Sequence, residues 1–212
     1  MMNFLPLFPL QLTVFPGEPL HLHIFEERYK QLINDCYGEN KPFGIPLVLN
    51  NQPADWGTLV EITSIAEVYA DGRMDIKTKG IQVFNIMEWL REVPGKLYYA
   101  GIVHYPNNSI QAMPALMLPL LEMVRKFHEI LQVQKDFGKP DAQLTSYDIA
   151  HHVGLNLEQE HQFIQLLREE QRLTFLKRHV QQMLDAAMGI ESLKHRIQMN
   201  GHFKELKGFQ FE

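Results

Sequence analysis

The stretch LPLFPLQLTVFPGEPLHLHIFEERY, residues 5–29, decides how the rest of the chain is read. It is dense in Leu, Phe and Pro, and no Lys or Arg precedes Arg28. A secretory signal needs a basic start ahead of an unbroken apolar run, and neither is present. A membrane-spanning helix needs roughly 18 consecutive apolar residues. Here Pro6, Pro9, Pro16 and Pro19 interrupt the run, and proline inside a helix removes an N–H donor. The alternation is that of strands. Leu10, Leu12 and Val14 alternate with Gln11 and Thr13, and Leu20, Leu22 and Ile24 with His21 and His23, the two-residue period of a half-buried strand. Between these runs Phe15-Pro16-Gly17-Glu18 predicts a type II turn, with Pro fixing the first central residue and Gly supplying positive φ at the second.

Composition sets the bounds. A chain of 212 residues holds one large or two small domains with a real core. Apolar residues make up 45% and charged residues 21%, as in an ordinary globular protein. The net charge of −5 gives phosphate backbones and anionic lipid no electrostatic invitation. The single Cys36 excludes an intrachain disulfide and fits a reducing, cytoplasmic compartment. It lies on a helix predicted over 25–37 and ended by Gly38, whose apolar face carries Phe25, Tyr29, Leu32 and Ile33. A buried structural thiol is the expectation there, not a nucleophile.

The remaining chain divides by period. Up to Ser109 it reads as strands: FGIPLVLN (43–50), in which Pro46 suggests a sheet edge; a loop NNQPADWG; TLVEITSIAEVY (58–69); RMDIKTKGIQVFNI (73–86); and KLYYAGIVHY (96–105). Asp71-Gly72 predicts a hairpin turn in which both positions need positive φ, and Gly80 a bulge. Strands on short turns with one helix suggest a closed or nearly closed small barrel. From Pro114 onward the spacing becomes helical. Met113, Met117, Leu120, Val124, Phe127 and Leu131 form one stripe, with Pro119 placing the regular start near itself. Thr145 with Asp148, and Asn156 with Gln159, have capping-box spacing. A long helix over 169–199 carries Leu173, Leu176, Val180, Met183, Ala187 and Ile190 on one side, with Gly189 a weak point. The expected organisation is a β subdomain (1–109), a helical subdomain (110–199) and a polar tail (200–212). Beyond Gly189, Leu193 and Ile197 leave an apolar remnant available for self-association.

Several words of this sequence together resemble the substrate-binding domain at the N-terminus of Lon proteases, which also occurs as a free-standing protein. They are LPLFPL, VFPGEPLHLHIFEERY, FGIPLVL, ADGRMDI, GIQVFNI and YDIAHHVGLNLEQEHQFIQLLREEQRLTFL, spread over residues 5–184. Phe25, Glu26, Arg28 and Tyr29 match the family's FExRY block. Val83 stands where the family usually has Arg before the Phe of its G-x-x-R-F block, so contacts of that Arg are not carried over. The resemblance implies an α+β fold, a PUA-like β pseudo-barrel followed by a helical bundle, and a role in protein recognition. The ATPase and Ser-Lys protease parts are not implied, because no G-x-x-x-x-G-K-[ST] loop is present to cradle ATP phosphates.

Chemistry-bearing groups are sparse. His21 and His23 share a strand face but lack a third metal ligand of known proximity. His151, His152 and His161 do not share one helix face. Glu26, Glu27, Arg28 and Lys30 have the spacing of helix-surface ion pairs. No HExxH, CxxC or G-x-S-x-G motif occurs. The expectation is no enzyme, no catalytic or metal site, no cofactor and no small-molecule substrate. Nucleic acid is the alternative. Residues 145–164 follow a helix-turn-helix outline, yet Glu158 and Glu160 would lead into a phosphate-lined groove, and RNA binding rests only on analogy with PUA-like barrels. Protein recognition is the stronger reading. The segment IMEWLREVPGK (86–96), read as a hairpin loop, offers Met87, Trp89 and Leu90 as anchors; the competing role for Trp89 is to cover the end of the barrel or pack on the helices. The expected partners are proteins or unfolded polypeptide segments, with no membrane contact.

Overall fold

The computed structural model describes the backbone of residues 3–203 and the side chains of residues 3–189. Six strands form one sheet: β1 (Asn3–Leu7), β2 (Pro19–Ile24), β3 (Phe43–Leu49), β4 (Gln52–Val68), β5 (Met74–Leu90) and β6 (Tyr99–His104), in the order β2-β5-β4-β3-β1-β6. β6 pairs a second time, with β5, so the ladder β5-β4-β3-β1-β6 returns to its start. Strand β5 can do this because its first part, Met74 to Lys79, pairs with β2 while its last part, Asn85 to Leu90, pairs with β6. Three register slips between β4 and β5 supply the local bending that such a closure needs. One falls at Ile81 beside Gly80, as the glycine predicted. A Cβ at residue 80 would collide with the carbonyl oxygen of Phe15, so the close approach of two backbones explains that glycine.

One side of the sheet buries Ile24, Phe43, Ile45, Val60, Met74 and Ile76 under helix α1 (Glu27–Gly38), which contributes Tyr29, Leu32, Ile33 and Cys36. A second cluster gathers Leu5, Leu7, Leu59, Phe84, Ile86 and Val103. The helical part comprises α2 (Pro114–Ile130), α3 (Ser146–Ile149), α4 (Leu157–Ile164) and α5 (Glu169–Phe203). Helix α2 packs along α5, burying Met117, Leu120, Leu121, Val124 and Phe127 with Leu173, Leu176, Val180 and Leu184. Both capping boxes are present, at Thr145/Asp148 and Asn156/Gln159.

Several sequence expectations are corrected. Residues 10–14 are not a strand: β1 precedes them, and Leu10 makes only an isolated bridge to Leu47. The segment does not keep the expected alternation: Gln11 is exposed and Val14 buried, but Thr13 is buried too, while Leu10 and Leu12 are only half-buried. β3 is an interior strand, between β1 and β4, and Pro46 is tolerated beside a register slip. The loop expected over 50–57 is a two-residue turn: Asn50 (φ 48°) and Asn51 (φ 61°) both adopt positive φ, and Leu49 already faces Gln52. Asp71-Gly72 does join β4 to β5, yet only Gly72 (φ 81°) takes positive φ. The amide of Gly72 bonds to Tyr69 O and that of Tyr69 to Arg73 O, a three-residue hairpin connection with Gly at the left-handed position. Phe25 lies outside α1 and is 61% exposed. Pro114, not Pro119, opens α2; Pro119 sits inside the helix on its exposed face, losing one ladder bond that solvent can replace. Leu131 is exposed beyond the end of α2. The type II turn at 15–18 stands as expected, with Gly17 at φ 90° and Glu18 N donating to Phe15 O at 3.1 Å. Helix α5 runs through Gly189. The side chains of Ile190, Leu193 and Ile197 lie outside the described residues, and so does the proposed self-association surface.

Candidate protein-recognition site

Met87, Trp89 and Leu90 lie on β5 and not in a loop; the connection to β6 begins after Leu90. The β5–β6 register slips between Ile86 and Glu88, so Met87 is the extra residue of a bulge and is 69% exposed. Trp89 is half-buried. Its ring packs on the cluster of Leu5, Phe84 and Val103, and its Nε1 donates to Asp55 Oδ1 at 2.9 Å. Leu90 is half-buried opposite Ala100. The three side chains therefore do not form one exposed cluster. What joins Met87 on the outer surface is a different set: Phe4, 51% exposed, faces Ile102 across the β1–β6 ladder, and Ile102 faces Glu88 across the β6–β5 ladder. Residues in register share a sheet face, so Phe4, Ile102 and the adjoining bulge at Met87 make an apolar outer surface edged by Glu88. Phe4 was not singled out from the sequence, although its place just ahead of LPLFPL and beside buried Leu5 gives the alternation.

The rest of the expected loop is held down. Gln31 of α1 donates to Gly95 O (3.0 Å) and accepts from Leu97 N (2.7 Å). Asp35 accepts from Lys96 Nζ and Tyr98 Oη, each at 2.8 Å. Burial opposes ionisation of Asp35, but the hydrogen bonds from Lys96 and Tyr98 win and hold its carboxyl below the usual range. Burial, reinforced by the nearby Asp35 charge, pushes the neighbouring Cys36 thiol up to about 12. At neutral pH that thiol is not a nucleophile.

A second constellation sits where the sheet meets the helices. Phe15, at the tip of the type II turn, inserts into the helical core against Tyr147 (5.5 Å between centroids) and Phe163 (5.4 Å). His151 lies over Phe15 at 4.4 Å. Its Nδ1 is 3.0 Å from Glu160 Oε1 and its Nε2 is 3.1 Å from Glu18 Oε2. Burial alone would lower the imidazole pKa, yet the hydrogen bonds to Glu160 and Glu18 and the charges of both carboxylates raise it to about 9. The ring is a cation at neutral pH, bridging a carboxylate from each part of the chain. This pairing also explains Glu160, a buried acid in α4 that does not fit a DNA-reading helix. Beside it opens a cavity of about 480 Å³ lined by Pro16, Glu18, Lys139, Tyr147 and His151.

Arg172 is the third feature, and sequence reasoning missed it. It is fully buried. It donates to Glu169 Oε2 (2.7 Å), Ser146 Oγ (2.8 Å), Asn108 Oδ1 (2.8 Å), Leu166 O (2.6 Å) and Ser109 O, and lies 4.3 Å above the Tyr147 ring. Glu169 in turn accepts from Ser146 N at 2.6 Å. The signal was available: Glu169, Arg172, Leu176, His179 and Met183 repeat with helical three- and four-residue steps.

His21 and His23 are exposed on β2; His23 pairs with Asp75 at 2.6 Å, and His21 remains without a side-chain partner among the described residues. At the start of α1 the pairs are Glu26–Arg28 and Glu27–Lys30, surface ion pairing as the sequence suggested, except that Lys30 takes Glu27 and not Glu26, four residues before it. Among the described residues no group of three or more His, Cys, Asp or Glu could hold a metal ion, and no helix is long and apolar enough to cross a membrane.

The described residues define a mixed α/β module, a six-stranded sheet with C-terminal helices. The chain belongs to the family of the ATP-dependent protease La (LON) substrate-binding domain, whose model matches residues 4–184. Among solved structures it is similar to a Lon N-terminal domain protein from Xanthomonas campestris, at 26% identity and TM-score 0.64, covering 82% of this chain and 97% of that one. It shares its fold with the N-terminal domain of a Mycobacterium avium complex Lon protease, at 14% identity and TM-score 0.62, covering 84% of this chain and 98% of that one. No curated protein matches it significantly in sequence.

Proposed function

We propose that this chain is a non-enzymatic protein-recognition module, acting in the cytoplasm on proteins or unfolded polypeptide segments as the substrate-binding part of a Lon-type system does. In this reading the closed circuit of pairings is a PUA-like pseudo-barrel (1–109), the helices from 110 to 199 are its supporting subdomain, and 200–212 is a tail. One observation carries the proposal. Within a domain whose family binds protein substrates, the bulge at Met87 lifts an apolar side chain into solvent beside Phe4 and Ile102, at a place where folding gives no reason for exposure. Met is a versatile contact for varied apolar partners. Trp89 supports this surface from beneath, with Asp55 orienting the indole, and Leu90, two residues past Glu88, lies half-buried on the same face. The nucleic-acid alternative is weakened in its best element, since the first helix of the pair is only four residues long and Glu160 of the second is held by His151.

The test uses a permanently unfolded probe, reduced and carboxymethylated α-lactalbumin, in fluorescence anisotropy. The intact chain binds it, and Met87→Glu weakens binding about tenfold, the scale of one central interface anchor, with an unchanged melting temperature. Equal affinity in Met87→Glu removes this surface from the reading, and absence of any binding by the intact chain removes the recognition of unfolded polypeptide altogether.

A further inference from the structure

We infer that the free edge of β2 is a second recognition element, on which an extended, unfolded polypeptide segment adds as a strand. The inference rests on the recognition reading above but uses different residues, at the other end of β5 from Met87. β2 pairs with β5 on one side and with no other strand among the described residues. Its register with β5 is one for one from Pro19↔Lys79 to Ile24↔Met74, without a slip. The ladder is entered through Gly80 N, which donates to Glu18 O at 2.9 Å. Antiparallel pairs alternate between hydrogen-bonded and open positions. Counting from Glu18, the residues Leu20, Leu22 and Ile24 turn their backbone groups toward β5. Pro19, His21 and His23 turn theirs outward. Pro19, which has no N–H to give, stands at an outward position, where proline is tolerated. The N–H and C=O groups of His21 and His23 meet no other backbone or side-chain partner among the described residues.

Folded proteins blunt such edges with bulges, charges or covers. The other open edge of this lobe is blunted: β4 slips at Thr63 and again at Ala66 before it ends. β2 has no bulge, and beyond Pro19 its outward positions are taken by His21 and His23. The side chains around it define the occupant. Leu20 and Leu22 are only half-buried, which leaves apolar surface for alternate residues of an incoming strand. Phe25 stands exposed just past Ile24, its ring 6.2 Å from that of His23. On the outer face His21 is in register with Lys77 and Pro19 with Lys79. Lys77 and Lys79 join no ion pair among the described residues, although Glu61 of β4 is in register with Lys79, while Asp75 is already engaged by His23 and Tyr69. The complementary ligand is therefore an extended segment with apolar residues toward Leu20 and Leu22 and acidic residues toward Lys77 and Lys79. Strand addition reads backbone first and side chains second, which suits a protein that must accept many sequences.

The experiment follows amide hydrogen exchange of the full chain, residue by residue, with and without saturating carboxymethylated α-lactalbumin, whose added carboxylates match the lysine row. Expected are fast exchange at the His21 and His23 amides in the free protein and at least about tenfold slowing on binding. His21→Pro, which removes an outward N–H and leaves the β5 bonds intact, is expected to weaken binding at least about fivefold, whereas His21→Ala, which keeps the N–H, stays within about twofold. Probe binding with unchanged exchange at both amides overturns the edge proposal and leaves the recognition reading standing. Protection already present in the free chain, with dimers in sedimentation, overturns it by making a second copy the occupant. No binding of the probe to the intact chain overturns both.

Discussion

Replacing Arg172 by Met tests the junction between the two parts of the chain. The guanidinium is wholly buried and serves five acceptors on Glu169, Ser146, Asn108, Leu166 and Ser109. Met fills much of the volume and donates nothing. Removing one partner of a buried pair costs about 3–5 kcal/mol, because the other is left charged in a dry site. Glu169 keeps its bonds from Ser146 N and Oγ, which places the loss toward the lower end of that range, roughly 3 kcal/mol. For a chain of this size each kcal/mol moves the midpoint by about 2–4 °C, so thermal unfolding followed by circular dichroism is expected to fall on the order of 10 °C. The double variant Arg172→Met with Glu169→Gln removes the stranded charge while Gln can still accept from Ser146, and it is expected to recover about 1–2 kcal/mol. A loss below about 1 kcal/mol for Arg172→Met alone refutes the reasoning. So does a double variant worse than the sum of its singles.

Four further outcomes are expected. Gly80→Ala drives a Cβ into the carbonyl of Phe15 and lowers stability by about 1–3 kcal/mol in denaturant titrations, with a rise in the exchange rate of amides packed on Phe15. Gly72→Val, at φ 81°, costs about 1–2 kcal/mol because a β-branched residue resists that conformation; an unchanged melting temperature would contradict the hairpin as described. Because the folded His151 is raised to about 9 from an ordinary value near 6.5, its contribution is fully present below about pH 6.5 and is lost as pH rises through about 9. The stability gap between the intact chain and His151→Gln, about 1–2 kcal/mol after allowing for solvent screening of a partly exposed side chain, therefore narrows as pH rises from about 6.5 to about 9; a gap that widens with pH contradicts the assignment. Cys36, with its thiol pushed up to about 12, is expected to resist a chromogenic disulfide reagent until denaturant is added.

The contrast between what the sequence discloses and what it hides follows the range of the interactions. Local chemistry was legible. Pro16 and Gly17 announce their turn, and Thr145 and Asn156 their caps, because each depends on neighbours within a few residues. The change from period 2 to period 3.6 near Pro114 likewise reports which groups a segment buries on itself. Turn type was less legible where two signals compete. Asp71-Gly72 resembles a two-residue turn, yet the chain spends three residues there, while the true two-residue turn at Asn50-Asn51 sat inside what reads as a loop. Nothing local told that β5 would serve two partners, since β2 and β6 reach it from sequence positions on either side and the pairing is fixed by closure of the whole ladder. The same holds for the site. Met87 is legible as an apolar residue amid charges, but whether it faces core or solvent depends on a single extra residue in the β5–β6 register, and a one-residue slip exchanges the two faces. Trp89, which the sequence offers either as a binding anchor or as cover for the barrel, is drawn inward by that register to Asp55 and the β cluster. An apolar anchor is thus exposed here by strand register and not by loop position, and that is why Phe4, two strands away from Met87, belongs to the same surface.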